Sequence, residues 1–212
     1  MKRIDVLRLV YIPAVIFILS SCTKSVEKVE QKSPPISTKN DTTVNSEFKQ
    51  YIILPGKQFA EGTAMLFDEV NIARLHFYAV FDSTAIYTTD TASNQYDINK
   101  LYGFADNNVF DHHKFSARFG WNWNKGALRL LAYVYNNGEV SNKPLGTIAI
   151  GKQADCTIII KGSQYQFVLN GITTVMPRAS TTATAIGYKL YPYFGGTETA
   201  PHQININIKE IE

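Results

Sequence analysis

The sequence predicts an all-β domain of two antiparallel sheets packed face to face, and three observations predict it. From residue 47 onward apolar and polar positions alternate with period two, and β-branched and aromatic side chains fill the apolar ones. No window in this part carries the roughly 3.6-residue periodicity of a helix. Short turn signals, Lys125-Gly126, Gly162-Ser163 and Asn170-Gly171, separate the alternating runs. Strands are expected at 51–54, 73–81, 85–89, 114–123, 128–135, 145–150, 156–161, 165–170, 188–193 and 203–208. That many strands in one domain require two sheets, because a twisted sheet of such width curls or splits.

Side-chain alternation fixes the register of two hairpins. Phe115, Ala117, Phe119, Trp121 and Trp123 form the apolar set of one strand, and Leu128, Leu130, Ala132 and Val134 that of the next. For both sets to reach the same core the turn must be the two residues Lys125-Gly126, since a one-residue slip inverts a whole strand. The register then pairs Ser116 with Tyr135, Arg118 with Tyr133, Gly120 with Leu131 and Asn122 with Arg129 on the other face. A Gly162-Ser163 turn likewise sets Cys156, Ile158 and Ile160 beside Leu169, Phe167 and Tyr165, and Asn170-Gly171 opens a further hairpin. In "YKLYPYF", Leu190, Pro192 and Phe194 fall on one side and Tyr191 and Tyr193 on the other; Pro192 confines the strand to an edge or an end.

Ahead of this domain the chain has a different character. Lys2, Arg3 and Arg8 precede an apolar run at 9–19, too short for the ~20 residues of a spanning helix and interrupted by Pro13, which is the pattern of a secretory signal. Leu19-Ser20-Ser21-Cys22 resembles the lipobox of bacterial lipoproteins, which implies cleavage before Cys22 and acylation of that cysteine. Residues 23–46 are polar, proline-containing and nearly free of large apolar side chains, so they cannot bury enough surface to fold. The expected organisation is a lipoprotein signal at 1–21, a tether at 22–46 beginning with lipidated Cys22, and the sandwich at 47–212. The expected location is the bacterial cell envelope, on the outer membrane.

Loss of the signal removes three basic residues and one acidic one, taking the net charge from +3 to about +1. With no basic stripe, nucleic acid is not an expected partner. Cys156 is then the last cysteine, so no internal disulfide forms; on an apolar strand it is expected in the core.

The segments "FSARFGWNWNKGALRLLAYVYNNGE", "CTIIIKGSQYQFVLNG", "GYKLYPYFGG" and "HQININIKEI" together resemble the concanavalin A-like jelly roll, the sandwich shared by lectins, laminin-G modules, glycoside hydrolases and polysaccharide lyases. With the lipobox, the chain is similar to small lipid-anchored jelly-roll proteins of glycan-feeding bacteria. The resemblance implies a carbohydrate setting and no particular reaction. The Glu-x-Asp-x-x-Glu strand of laminarinase-type enzymes is missing, and Asp68 and Glu69 point to opposite faces of a strand. Of the alginate-lyase strand motifs only Tyr193-Phe194 and Gly196 are echoed. Gly195 stands where the lysine belongs, and Gln203-Ile204-Asn205 lacks the histidine.

Two rows carry candidate chemistry. Arg74, His76 and Tyr78 alternate with Leu75, Phe77 and Ala79, so a cation, an imidazole and a phenol share one strand face and suit uronate binding and proton transfer. Arg118, Arg129, Tyr133 and Tyr135 form the second row, where rings stack on sugars and guanidinium groups bond hydroxyls or carboxylates; Tyr191 and Tyr193 extend the ligand-binding set. His76 and Tyr78 are the catalytic candidates. The same residues are also satisfied by bland roles, as a solvated strand face and as cross-strand pairs. Trp121 and Trp123 fall on the core side. His112 and His113, as neighbours in a strand, would face opposite ways and make a poor metal pair, and Asp106, Asn107, Asn108 and Asp111 suit a turn better than calcium. No metal and no cofactor are expected. The leading reading is a lipid-anchored module that binds polysaccharide or oligosaccharide. The alternatives are a lyase or hydrolase of unrecognised type, and a structural or partner-binding envelope protein.

Overall fold

The computed structural model describes residues 47–211, so the signal, the tether and Cys22 lie outside the described residues. Twelve strands follow one another among the described residues: β1 (Lys49–Ile53), β2 (Glu69–Ile72), β3 (Arg74–Phe81), β4 (Asn99–Ala105), β5 (Phe115–Asn124), β6 (Ala127–Asn136), β7 (Glu139–Ile148), β8 (Gln153–Lys161), β9 (Gln164–Leu169), β10 (Ile172–Pro177), β11 (Ala185–Leu190) and β12 (Ile204–Ile211). They form two six-stranded sheets, sheet I in the order β1-β12-β3-β8-β9-β10 and sheet II in the order β2-β11-β4-β5-β6-β7. All pairings are antiparallel.

Alternation decides which side of each strand enters the core between the sheets. On β3, Leu75, Phe77, Ala79 and Phe81 are buried; on β5, Phe115, Ala117, Phe119 and Trp121; on β6, Leu128, Leu130, Ala132 and Val134. Trp123 packs against this core, and burial raises the Cys156 thiol well above its usual range. The two hairpins have the expected registers, Arg118 opposite Tyr133 and Ile158 opposite Phe167. Lys125 and Gly126 are both left-handed, with φ of 52° and 68°, as a two-residue turn requires, and Asn170 and Gly171 repeat this between β9 and β10.

The strands depart from the expected ones in several places. Residues 85–89 alternate in burial but pair with no strand: Asp82 accepts from the Thr84 amide and starts a 3-10 turn over Ser83–Ala85, and the Thr89 amide is taken by the Gln95 side chain. The strand expected at 188–193 begins at Ala185 and ends at Leu190, because Pro192 offers no amide; Tyr193 keeps only isolated bridges to Phe59 and Lys100. β7 starts at Glu139, ahead of 145, and is a polar edge strand whose register shifts opposite Leu130/Leu131, beside Pro144. β2 and β4 were not anticipated, whereas β10 is the second strand of the hairpin expected at Asn170-Gly171. In β4 a register shift between Lys100 and Tyr102 buries Leu101 and Tyr102 in succession, which erases the alternation.

Asn107 and Asn108 are left-handed, with φ of 62° and 53°, so the 106–111 cluster is a turn. Asp106 inside it is fully buried and accepts from Arg178 Nε at 2.7 Å, Arg178 Nη2 at 3.0 Å and the Tyr165 hydroxyl at 2.5 Å. Arg178 also donates to the carbonyls of Thr182 and Thr184, tying the chain before β11 to the same carboxylate.

Candidate functional site

Outward-facing residues of sheet II line a groove of about 680 Å³. Its floor comes from β4, β5, β6 and β11, which present Lys100, Arg118, Tyr133 with Tyr135, and Tyr188. The turn between β4 and β5 adds Phe110, Asp111, His112 and His113, the segment before β2 adds Phe59, Leu66 and Phe67, and Tyr193 closes the margin.

Arg118 occupies this floor because of Gly103, its partner across β4 and β5. A Cβ at residue 103 would stand 2.1 Å from the Ala117 carbonyl oxygen and 2.8 Å from Arg118 Cγ, so only glycine lets the arginine stem lie across that strand. Arg118 is just 6% exposed, and its Nε has no hydrogen-bond partner among the described residues. Burial lowers the guanidinium to about 10, which leaves it charged at neutral pH; Tyr133, Tyr135, Tyr188 and Tyr193 surround it. Lys100 Nζ sits 4.7 Å from the centre of the Tyr133 ring and donates to the Ile98 carbonyl at 2.6 Å. Burial, and then the neighbouring Arg118 charge, lower Lys100 to about 8.

Neither cation makes a close ion pair among the described residues, and only Lys100 feels a carboxylate, the charge of Asp97, which partly offsets the effect of burial. Asp111, the one carboxylate lining the groove, accepts from the His113 amide at 3.0 Å and lies 3.5 Å from His113 Nδ1. A buried cation without a counterion is costly unless a ligand supplies one.

His112 and His113 correct the expectation of opposed neighbours. They lie in a turn instead of a strand, and their rings meet in a tilted contact with centroids 4.1 Å apart on the same groove. Among the described residues no three His, Cys, Asp or Glu side chains gather as a metal site would require. Burial, with Arg118 and His113 adding positive charge, lowers His112 to about 4, so the ring is neutral at physiological pH. The Tyr188 hydroxyl donates its single proton to the Phe110 carbonyl at 2.7 Å; at its 3.2 Å contact with His112 Nδ1 it therefore accepts. That selects the Nδ1–H tautomer and leaves Nε2 with a lone pair.

The structure gathers part of the sequence-derived set. Arg118, Tyr133, Tyr135 and Tyr193 share the groove. Arg129 lies outside it, in a separate hollow with Tyr96 and Asn122, donating to the Asn124 carbonyl at 3.2 Å. Tyr191 only borders the groove: it is 9% exposed, packs on Tyr51 and Tyr102, and donates its hydroxyl to Asp68. Arg74, His76 and Tyr78 do share one face, but it is the outer face of sheet I, on the far side of the core from Arg118. Both ring nitrogens of His76 are occupied: Arg74 donates to Nδ1 at 3.1 Å, and Nε2–H donates to Asp155 at 2.9 Å. The two rows therefore do not form one groove. Lys100, His112, Tyr188, Phe67 and Phe110 were not singled out as ligand contacts from the sequence; Lys100 and Tyr188 needed the unrecognised β4 and its pairing with β11.

No family model matches this chain, and no curated protein matches it either. Among solved structures it is similar to alginate lyase AlyC3, with a TM-score of 0.51 and 9% identity over 78% of this chain and 74% of that one. It is also similar to the Bacteroides ovatus mixed linkage glucan PUL GH16 in complex with a product, with a TM-score of 0.51 and 7% identity over 79% of this chain and 82% of that one. At such identities the likeness is one of fold: this chain is an all-β jelly-roll sandwich of the concanavalin A-like kind.

Proposed function

We propose that the groove of sheet II binds a glycan that carries carboxylates, in a protein held by lipid at the bacterial cell envelope. The observation that carries this reading is Arg118: a buried, charged guanidinium with an unpartnered Nε, beside Lys100, on a floor of tyrosines. A uronate fits both parts of the site, since its carboxylate pairs with the cations while phenol rings cover its C–H surfaces. The solved structures that share the fold include an alginate lyase and a mixed linkage glucan GH16, which supports a glycan ligand in general, while its carboxylates are inferred from Arg118 and Lys100. Calorimetric titration of the full chain with an acidic polysaccharide and with its carboxyl-reduced counterpart tests it. Binding of the acidic polymer alone is expected; equal binding of both, or of neither, sinks the proposal.

A second reading has its own support in His112, whose neutral ring offers Nε2 as a base above the same floor. With the uronate carboxylate neutralised by Arg118, His112 Nε2 takes the proton from the carbon next to that carboxylate. The C–H electron pair forms a carbon–carbon double bond, and the glycosidic C–O bond breaks. The departing oxygen takes a proton from a groove tyrosine or from water. The same titrations decide this: growth of the ultraviolet absorbance of an unsaturated sugar end marks a lyase, and its absence with intact binding marks a binding module.

The envelope location rests on the lipobox-like Leu19-Ser20-Ser21-Cys22. Each buried methylene contributes ~0.8 kcal/mol, so two or more acyl chains on Cys22 hold a protein to a bilayer almost permanently. Cys22→Ala is expected to move the expressed protein from the membrane fraction to the soluble one; an unchanged distribution removes the anchor from the proposal.

A further inference from the structure

We infer that Phe67, Phe110 and Tyr188 form a second subsite of the groove, an aromatic wall that stacks on the C–H face of a further sugar ring of the same acidic glycan. The inference rests on the groove reading above. Phe110 is 74% exposed and Phe67 47%, and what sets them apart from other large apolar side chains at the surface, such as Ile86 and Ile172, is that they meet on the groove. They arrive on separate segments, Phe67 just before β2 and Phe110 on the turn between β4 and β5, yet their rings stack with centroids 5.1 Å apart and 30° between planes. Tyr188 meets Phe67 edge-on at 5.4 Å and Phe110 at 5.8 Å, completing a three-ring surface that faces the groove.

The wall is held in place. The Tyr188 hydroxyl donates to the Phe110 carbonyl, the Asn108 amide donates to the Ile186 carbonyl at 2.7 Å, and the Leu66 amide donates to the Thr63 carbonyl at 3.1 Å. A fixed aromatic surface binds without the entropy cost of ordering itself.

The occupant follows from what shares the hollow. A purely apolar ligand on the wall would leave the Arg118 guanidinium desolvated with no counterion, and a simple anion would leave the phenylalanines in water. A uronic acid chain presents carboxylates at ring edges and apolar C–H faces within the same polymer, so adjacent sugars satisfy both walls at once. Phe59, edge-on to Tyr193 at 4.9 Å and also on the groove, offers a further apolar contact.

The test uses the full chain and oligogalacturonides of two lengths, a disaccharide and a hexasaccharide, titrated calorimetrically against wild type, Phe67→Ser, Phe110→Ser and the double variant. Both side chains are exposed, so unchanged circular dichroism and melting are expected and serve as the folding control. Wild type is expected to favour the hexasaccharide, and the double variant to lose roughly tenfold in hexasaccharide affinity while binding the disaccharide as before. Equal hexasaccharide affinity in wild type and double variant overturns the subsite and leaves the groove reading standing. Failure of wild type to bind either oligosaccharide overturns the groove reading instead. Unchanged sugar binding in the double variant, together with lost association with phosphatidylcholine vesicles, makes the cluster a membrane contact and overturns the inference.

Discussion

Arg178→Met is expected to destabilise the domain by about 3–5 kcal/mol, because it leaves the Asp106 carboxylate buried without its cation. Arg178 is 2% and Asp106 0% exposed at the side chain, and two guanidinium nitrogens reach both carboxylate oxygens. For a domain of this size the loss corresponds to a fall in melting temperature of roughly 6–20 °C. Asp106→Leu with Arg178→Met removes both charges together and should recover much of the deficit, giving a large coupling in a double-mutant cycle. Thermal and urea unfolding followed by circular dichroism measure this. A loss under about 1 kcal/mol for the single variant would show that water or another group satisfies Asp106. The pair also bears on the groove, since Asp106 opens the turn that carries Phe110 and His112, and the Arg178-bound chain leads into β11 with Tyr188. A weakened pair is therefore expected to loosen the groove's wall before the sandwich itself melts.

The sandwich was legible where one strand face is buried and the turn has two residues. Phe115 to Trp123 against Leu128 to Val134 admits a single register around Lys125-Gly126, and that register is the one observed. β4 was illegible for a physical reason: its register shift buries Leu101 and Tyr102 in succession, and Gly103 has no side chain to mark a face. Residues 85–89 misled in the opposite sense, since alternating burial arises whenever an extended segment lies against a core, with or without a strand to pair with.

The candidate site divides along the same line. Arg118, Tyr133 and Tyr135 could be read as one face because they belong to one hairpin, where alternation is local. Which strands share a sheet depends on pairing between distant segments. Nothing within "ARLHFYAVF" tells that β3 pairs with β8 and β12, so His76 and Arg118 end up on opposite outer faces. His112, His113 and Phe110 belong to a turn whose left-handed Asn107 and Asn108 re-aim the chain, which a strand rule cannot anticipate.

Removal of the Arg118 charge should have the largest effect on ligand binding. Arg118→Gln is expected to weaken an acidic oligosaccharide by ~2–5 kcal/mol, the usual cost of truncating one side of a buried charge pair, which is roughly thirtyfold or more in Kd. Lys100 adds a pH dependence whose sign is determined. Its value of about 8 is lowered from that of an ordinary lysine by burial and by Arg118, against the smaller opposing effect of the Asp97 carboxylate, so the amine is cationic below about 8 and neutral above it. The charged form attracts the carboxylate, so affinity should stay level at neutral pH and fall as pH rises through about 8. His112, at about 4, is already neutral across that range and adds nothing to the step, and Arg118, at about 10, keeps its charge through it. Binding an anion also stabilises the protonated amine, so proton uptake near pH 8 should appear as a dependence of the calorimetric heat on the buffer's ionisation enthalpy. Lys100→Met is expected to abolish the step and the uptake while retaining the Arg118 contribution. If the step survives in Lys100→Met, another group carries it; if affinity rises through pH 8, the amine is not facing the anion, and the cationic floor has been assigned to the wrong partner.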